Sequence, residues 1–278
     1  MAQEKYVAYV GTYTHENSIG IHVYDIDMEK GKLTERSVAP ISNPSNIAVA
    51  HNGKYLYSIE DEGVASFSID ENGDLTKINQ AWIGGMRACY VEIDSNDRYL
   101  FLAGFHDGKV TMMRLNGDGS IAGIADGVFH QGVGKSSVEK RMDPRVSCTK
   151  LTPDEKYLCA VDWGLNQIKI YEVDYEEGKL HLYDILRFPF NSAPRRIRFS
   201  KDGKFAYVLE ETTNMVDIYT YDLREGKPVF EKIKTTSVLE KEDSLASGSA
   251  LEFAPDGKYL YVSLDGANEV VCLAVGED

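Results

Sequence analysis

Apolar and polar positions alternate along this chain in short runs, and no segment keeps the spacing of an amphipathic helix. One stretch shows the plan: Asn46-Ile-Ala-Val-Ala50, Tyr55-Leu-Tyr-Ser-Ile-Glu60, Val64-Ala-Ser-Phe-Ser-Ile-Asp70 and Leu75-Thr-Lys-Ile-Asn-Gln-Ala81 are strand-length runs separated by turn residues. The plan then repeats. Asn52-Gly-Lys-Tyr-Leu-Tyr57, Asn96-Asp-Arg-Tyr-Leu-Phe101, Asp154-Glu-Lys-Tyr-Leu-Cys159, Asp202-Gly-Lys-Phe-Ala-Tyr207 and Asp256-Gly-Lys-Tyr-Leu-Tyr261 share one pattern, and Lys5-Tyr-Val-Ala-Tyr-Val10 is a weaker first copy. Their aromatic anchors, Tyr6, Tyr55, Tyr99, Tyr157, Phe205 and Tyr259, lie 49, 44, 58, 48 and 54 residues apart. Four strands in such a period predict the blade of a β-propeller.

Asn-Gly and Asp-Gly supply the positive φ that tight hairpins need. A four-stranded unit leaves its sheet faces apolar, and radial stacking on neighbours buries them. The expected fold is therefore all-β, a single propeller domain over residues 1–278 with about six four-stranded blades. The runs number about 22 strands. The first unit opens at Tyr6 on its second strand, and the sixth stops in Val270-Val-Cys-Leu-Ala-Val-Gly-Glu-Asp278 without an outer strand. Either the two incomplete units meet, or the chain is a truncated form of a longer protein. In a propeller, residues just before each first strand and at the end of each second strand line the central channel, so function is expected there.

Composition narrows the function. Lys and Arg total 30 against 44 Asp and Glu, a net charge of −14, which argues against nucleic acid or an anionic membrane as partner. Cys89, Cys148, Cys159 and Cys272 show no metal-ligand or CxxC spacing, so neither a metal nor a disulfide framework is expected. No window approaches the roughly 20 apolar residues of a membrane helix, and the start of the chain lacks a signal-peptide pattern. A cytoplasmic location without a cofactor is the expectation; the oligomeric state is left open.

Tyr9-Val-Gly-Thr-Tyr-Thr14 followed by Gly20-Ile-His-Val-Tyr-Asp25, with Asn43-Pro-Ser45, Ala193-Pro-Arg195, Phe205-Ala-Tyr-Val-Leu-Glu-Glu211 and Ala254-Pro-Asp-Gly-Lys-Tyr-Leu-Tyr-Val-Ser263, resembles the seven-bladed propeller lactonases. These are the 6-phosphogluconolactonases, with the carboxymuconate cyclases in the same family. The resemblance covers essentially the whole chain and implies one further blade. It also exposes departures. Where the family carries Pro-His-x-His, this chain has Pro144-Arg-Val-Ser147; Pro-Arg-His is Pro194-Arg-Arg196, a further histidine is Tyr90, and Asn-Arg-Gly is Leu264-Asp-Gly266. Arg195 and Glu211 survive.

Opening a lactone needs a base for water and a donor for the tetrahedral oxyanion. The resemblance gives these roles to Glu211 and Arg195. Arginine cannot serve as a base, so Arg145 and Arg196 with Ser147 instead suit bidentate recognition of a phosphate or carboxylate. Asp162 and His15, at channel-lining registers, complete the candidate ligand contacts, with His106 a further histidine within reach. A structural account stands beside this one: the arginines pair with Asp143, Asp162, Glu210 or Glu211, and Glu60, Asp162 and Glu210 recur five residues past the repeat aromatic, with Asp61 and Glu211 one later. Gln131 to Lys140 contains Gly132-Val-Gly134-Lys135-Ser136, but the spacing is wrong for a phosphate loop, and it reads as a long connection. Cys148 is expected to be packed. The leading function is hydrolysis of a small anionic sugar lactone; a non-catalytic binder of a sugar acid and a lactonising cyclase remain as alternatives.

Overall fold

The computed structural model describes residues 6–132, 143–241 and 245–276. Among them the regular elements are all strands, twenty-two in number. The chain divides into two compact units, Met1–Val128 and Phe129–Asp278. The first contains β1 (Tyr6–Val10), β2 (Gly20–Asp27) and β3 (Lys32–Pro40) in one sheet. A second sheet follows with β4 (Ile47–Val49), β5 (Tyr55–Glu60), β6 (Gly63–Ile69) and β7 (Leu75–Ala81). The third is β8 (Tyr90–Ile93), β9 (Tyr99–Ala103), β10 (Lys109–Leu115) and β11 (Ile121–Phe129).

The second unit repeats the arrangement. Its sheets are β12 (Val146–Leu151), β13 (Tyr157–Asp162), β14 (Gln167–Asp174), β15 (Lys179–Arg187), then β16 (Pro194–Phe199), β17 (Phe205–Glu210), β18 (Met215–Arg224), β19 (Lys227–Ser237). The last has three strands, β20 (Ser247–Phe253), β21 (Tyr259–Asp265) and β22 (Glu269–Ala274). Every sheet is antiparallel with strands in chain order. The four runs expected over 46–81 are the four strands of the second sheet, the innermost trimmed to three residues. Of the long connection expected over Gln131–Lys140, residues 133–140 lie outside the described residues.

The polar half of the repeat is a turn with a local mechanism. The side-chain oxygens of Asn52, Asp154, Asp202 and Asp256 accept the backbone N–H two residues on, from Lys54, Lys156, Lys204 and Lys258, at 2.8, 2.8, 3.1 and 2.9 Å. The residue between is left-handed in all five full copies: Gly53, Asp97, Glu155, Gly203 and Gly257 have φ of 70, 54, 56, 73 and 76°. The aromatic half faces the other way, into the core. Strands β5, β9, β13 and β17 are buried almost throughout, whereas the fourth strands β7, β11, β15 and β19 are largely exposed.

Sheet-to-sheet packing has apolar and polar parts. Within the first unit, Ile21, Leu56 and Phe67 fill one inter-sheet layer, and Tyr57, Leu100, Leu102 and Met113 the next. In the second unit Leu209, Val216, Leu251 and Val262 do the same. Tyrosine hydroxyls then reach across to the outer hairpin of the following sheet in their unit. Tyr9 donates to Gly73 O at 2.8 Å, Tyr57 to Gly119 O at 3.1 Å and Tyr157 to Gly226 O at 3.1 Å. A buried phenol needs such a partner.

Glu155 holds a left-handed conformation that glycine occupies in three of the five turns, and a side chain there costs about 1 kcal/mol. Glu155→Gly is expected to raise unfolding stability by up to about 1 kcal/mol in urea denaturation, with an unchanged m-value.

Candidate functional site

The heads of the three inner strands in the second unit share a defect. Val146 pairs with Asp162 and Cys148 with Val161, so Ser147 is the extra residue of a bulge. Pro194 pairs with Glu210 and Arg196 with Leu209, which makes Arg195 the extra residue of β16. Gly248 pairs with Leu264 and Ala250 with Ser263, leaving Ser249 in that position on β20. A bulge unpairs one residue and re-aims its side chain. Here the freed groups link to one another: the Ser147 hydroxyl donates to Arg195 O at 2.9 Å, and Arg195 Nε donates to Ser249 O at 3.0 Å.

Strand alternation sorts the recurring acids. Glu60, Asp162 and Glu210, five residues past the aromatic, are 6, 0 and 5 % exposed. One residue later the side chain points to the opposite face, and there Asp61 and Glu211 each meet an arginine. The structural acids and the candidate functional ones are thus adjacent in sequence and opposite in direction.

Glu211 sits at the centre of the second unit's cluster. Its Oε2 accepts from Arg195 Nη1 and from the Trp163 indole N–H, the latter at 2.9 Å. Among the described residues Oε1 has only the Ser247 hydroxyl, at 3.4 Å. The backbone is fixed as firmly: Glu211 N–H donates to Ala193 O at 2.9 Å, and Ala193 N–H donates to Asn166 Oδ1 at 2.9 Å. Ala193 is left-handed, with φ of 52°, a strained state for a residue with a Cβ that these two bonds hold in place. It delivers Pro194-Arg195 to the bulge. Both side chains of the pair keep contact with solvent, at 29 % for Arg195 and 19 % for Glu211.

The other candidates fall around this pair unequally. Arg145 is exposed, with its guanidinium 5.6 Å from the Trp163 ring centre. Arg196 Nη1 donates to the carbonyls of Ser147 and Arg195, so its charge helps to brace the bulges. Ser147 is buried and occupied in the same bracing. Asp162 is fully buried and its oxygens are engaged: Oδ2 with His130 Nδ1 at 2.6 Å, Oδ1 with the N–H groups of Arg145 and Leu165 at 2.9 and 3.0 Å. It holds the strand end, where the sequence pattern had offered it as a ligand contact. Cys148 is packed, with no exposure. His106 is exposed in the first unit, edge-on to Phe105.

His15 belongs to the first unit, which has its own acid–arginine cluster. His15 is exposed and stacks on Tyr13 at 6.1 Å, and the Arg87 guanidinium lies 5.1 Å from the same Tyr13 ring. Arg87 Nη2 donates to Asn43 O at 2.6 Å and its Nε is 3.7 Å from Asp61, whose carboxylate also accepts both bonds of the Asn43 amide. Asp61 and Arg87 line a cleft of about 770 Å³ with Trp82 and Met86. Sequence reasoning missed Arg87, Trp163, Ser249 and His130. Trp163 was accessible to it, since it occupies the register of Glu211, six residues past the anchor.

A family model described as Lactonase, 7-bladed beta-propeller, matches residues 7–278. The 6-phosphogluconolactonase of Bacillus subtilis is 32% identical over 280 residues, which span 98% of this chain and 78% of that protein. Among solved structures, the periplasmic gluconolactonase of Pseudomonas aeruginosa superposes with a TM-score of 0.87 at 27% identity, covering 98% of this chain and 79% of the other. A protein from Lactobacillus plantarum gives 0.87 at 28% identity, over 99% and 80%.

Burial pushes the His130 imidazole below its usual pKa, more strongly than the bond to Asp162 raises it. The folded protein therefore keeps His130 neutral where the unfolded chain begins to protonate it, and stability falls as pH drops through the unfolded value near 6.5. His130→Asn keeps a donor for Asp162 but cannot titrate. Its melting temperature is expected to fall less than that of the wild type between about pH 7.5 and 5.5; parallel curves would remove His130 from the acid response.

Proposed function

The chain belongs to the seven-bladed β-propeller lactonase family, and from that membership we propose that it hydrolyses a small anionic sugar lactone of the 6-phosphogluconolactone type at the Glu211–Arg195 cluster. The observation that carries the reading is the asymmetry of the Glu211 carboxylate. Oε2 is tied to Arg195 and Trp163, while among the described residues Oε1 has only a long contact to a hydroxyl. Oε1 is the oxygen that takes a proton from water as the water attacks the lactone carbonyl. Arg195 Nη2 makes no bond among the described residues, and it faces the charge that builds on the carbonyl oxygen in the tetrahedral intermediate. Collapse of that intermediate expels the ring oxygen, which recovers the proton from Glu211, and leaves a sugar acid.

The bulges serve this chemistry by position. Arg195 is held at Nε by Ser249 O and through its own carbonyl by Ser147, so its guanidinium is placed before substrate arrives. Arg145, at the edge of the cluster over Trp163, is the further cation for an anionic substituent on the sugar. The family histidines absent from this chain leave Glu211 as the base. We place the reaction in the cytoplasm; the lack of any disulfide among Cys89, Cys148, Cys159 and Cys272 supports a reducing compartment.

The test is the rate of 6-phosphogluconolactone opening above the spontaneous rate. Glu211→Gln is expected to lower kcat by about 100-fold or more with little change in KM. Arg195→Ala is expected to lower kcat comparably, and Arg145→Ala to raise KM. Full activity in Glu211→Gln would make the ion pair a brace between strands and move the base elsewhere.

A further inference from the structure

A second pocket of the same unit shares no residue with the Glu211–Arg195 pair. It has a volume of about 420 Å³ and lies against the start of β14 and the end of β15, with Gln131, Asn166, Gln167, Lys169, Arg187 and Phe190 among its lining. Lys169 is only 8 % exposed. Its ammonium forms no hydrogen bond or ion pair among the described residues, and burial lowers its pKa. The nearby Asp162 offsets part of this cost through space, but it gives the ammonium no hydrogen bond, its oxygens being engaged with His130 and two backbone N–H groups. The fold does have a way to satisfy a buried lysine on this face of a third strand. Lys109 on β10 donates to the carbonyls of Ile83 and Gly84 at 2.8 and 2.7 Å. Lys169 has no such pair among the described residues.

Arg187 on β15 lines the same pocket, opposite Gln167 in the strand pairing, and it too has no ion-pair partner among the described residues. Among the described residues the wall contains two cations, three carboxamides and not one carboxylate, in a chain whose net charge is −14. A buried ammonium without a hydrogen-bond partner is costly, and an anion from solution that bonds to it directly offsets the part that Asp162 leaves. Lysine as a point charge and arginine as a fork together match a dianionic phosphate. Phe190, 72 % exposed beside Phe188, provides an apolar wall for the rest of a small molecule, and the volume is in the range of metabolite sites.

We propose that this pocket is a binding site for a small organic phosphate monoester, with Lys169 and Arg187 holding the phosphate and Phe190 covering the organic part. It is a site distinct from the proposed lactone-opening centre, and its occupancy needs no hydrolysis.

Titration calorimetry with phenyl phosphate, and with inorganic phosphate as the second probe, tests it on the full chain. Phenyl phosphate is expected to bind more tightly than inorganic phosphate, and Lys169→Met and Arg187→Ala each to weaken both by about tenfold. Arg195→Ala should leave the affinity within about twofold, which separates this site from the lactone centre. Arg187 is exposed, so its variant reports even where Lys169→Met disturbs folding. Absence of binding to the wild type, affinity unchanged in Arg187→Ala, or loss of binding in Arg195→Ala would each overturn the assignment.

Discussion

Two paired strands in perfect register can show only every second residue to a given face, and that rule would hide half of the side chains at the inner strand heads. The bulges at Ser147, Arg195 and Ser249 break it at the head of the innermost strand of each sheet of the second unit. The break is what lets Arg195 turn back onto Glu211, just past the end of the neighbouring strand, while its own carbonyl receives the Ser147 hydroxyl. Without it Arg195 would be an ordinary strand residue. The unpaired backbone is not wasted either, since the carbonyls of Arg195 and Ser249 accept the side chains that join one sheet to the next.

The same alternation decides the fate of charge in a strongly acidic chain. Acids at one position of the repeat are sunk into the sheets and bonded there, Asp162 to His130 and Glu210 to Thr213 at 2.5 Å. Burial raises the Glu210 pKa against the help of that hydroxyl. Acids at the next position keep solvent and meet arginines. Cations are therefore concentrated where the fold needs them, although the surface as a whole is negative. A local positive centre within a negative field favours small anions over polyanions.

The strands were legible because turns and periods are local. The Asp/Asn-x-Lys repeat writes its own hydrogen bond in four of its copies, and the residue between is left-handed in each, so these turns could be placed from sequence. Glu211 and Arg195 were legible through resemblance alone. What could not be read was direction around a bulge: nothing in Pro194-Arg195-Arg196 says which arginine turns to the acid and which to backbone carbonyls. His130 was also opaque, because its partner Asp162 lies 32 residues away and no local pattern links the two. Asp162 was offered as a ligand contact from its register alone; in the fold its oxygens meet His130 and the N–H groups of Arg145 and Leu165, contacts that the register does not reveal.

The tyrosine hydroxyls that cross from one sheet to the next end on glycine carbonyls at Gly73, Gly119 and Gly226. A bond to main chain constrains the path of a loop and is indifferent to its side chains. Apart from these glycines, whose positive φ disfavours a side chain, the outer hairpins are thereby free to drift in composition over evolutionary time, provided each tip keeps its reach, and inserted residues are borne more readily by connections between sheets than by the hairpins themselves.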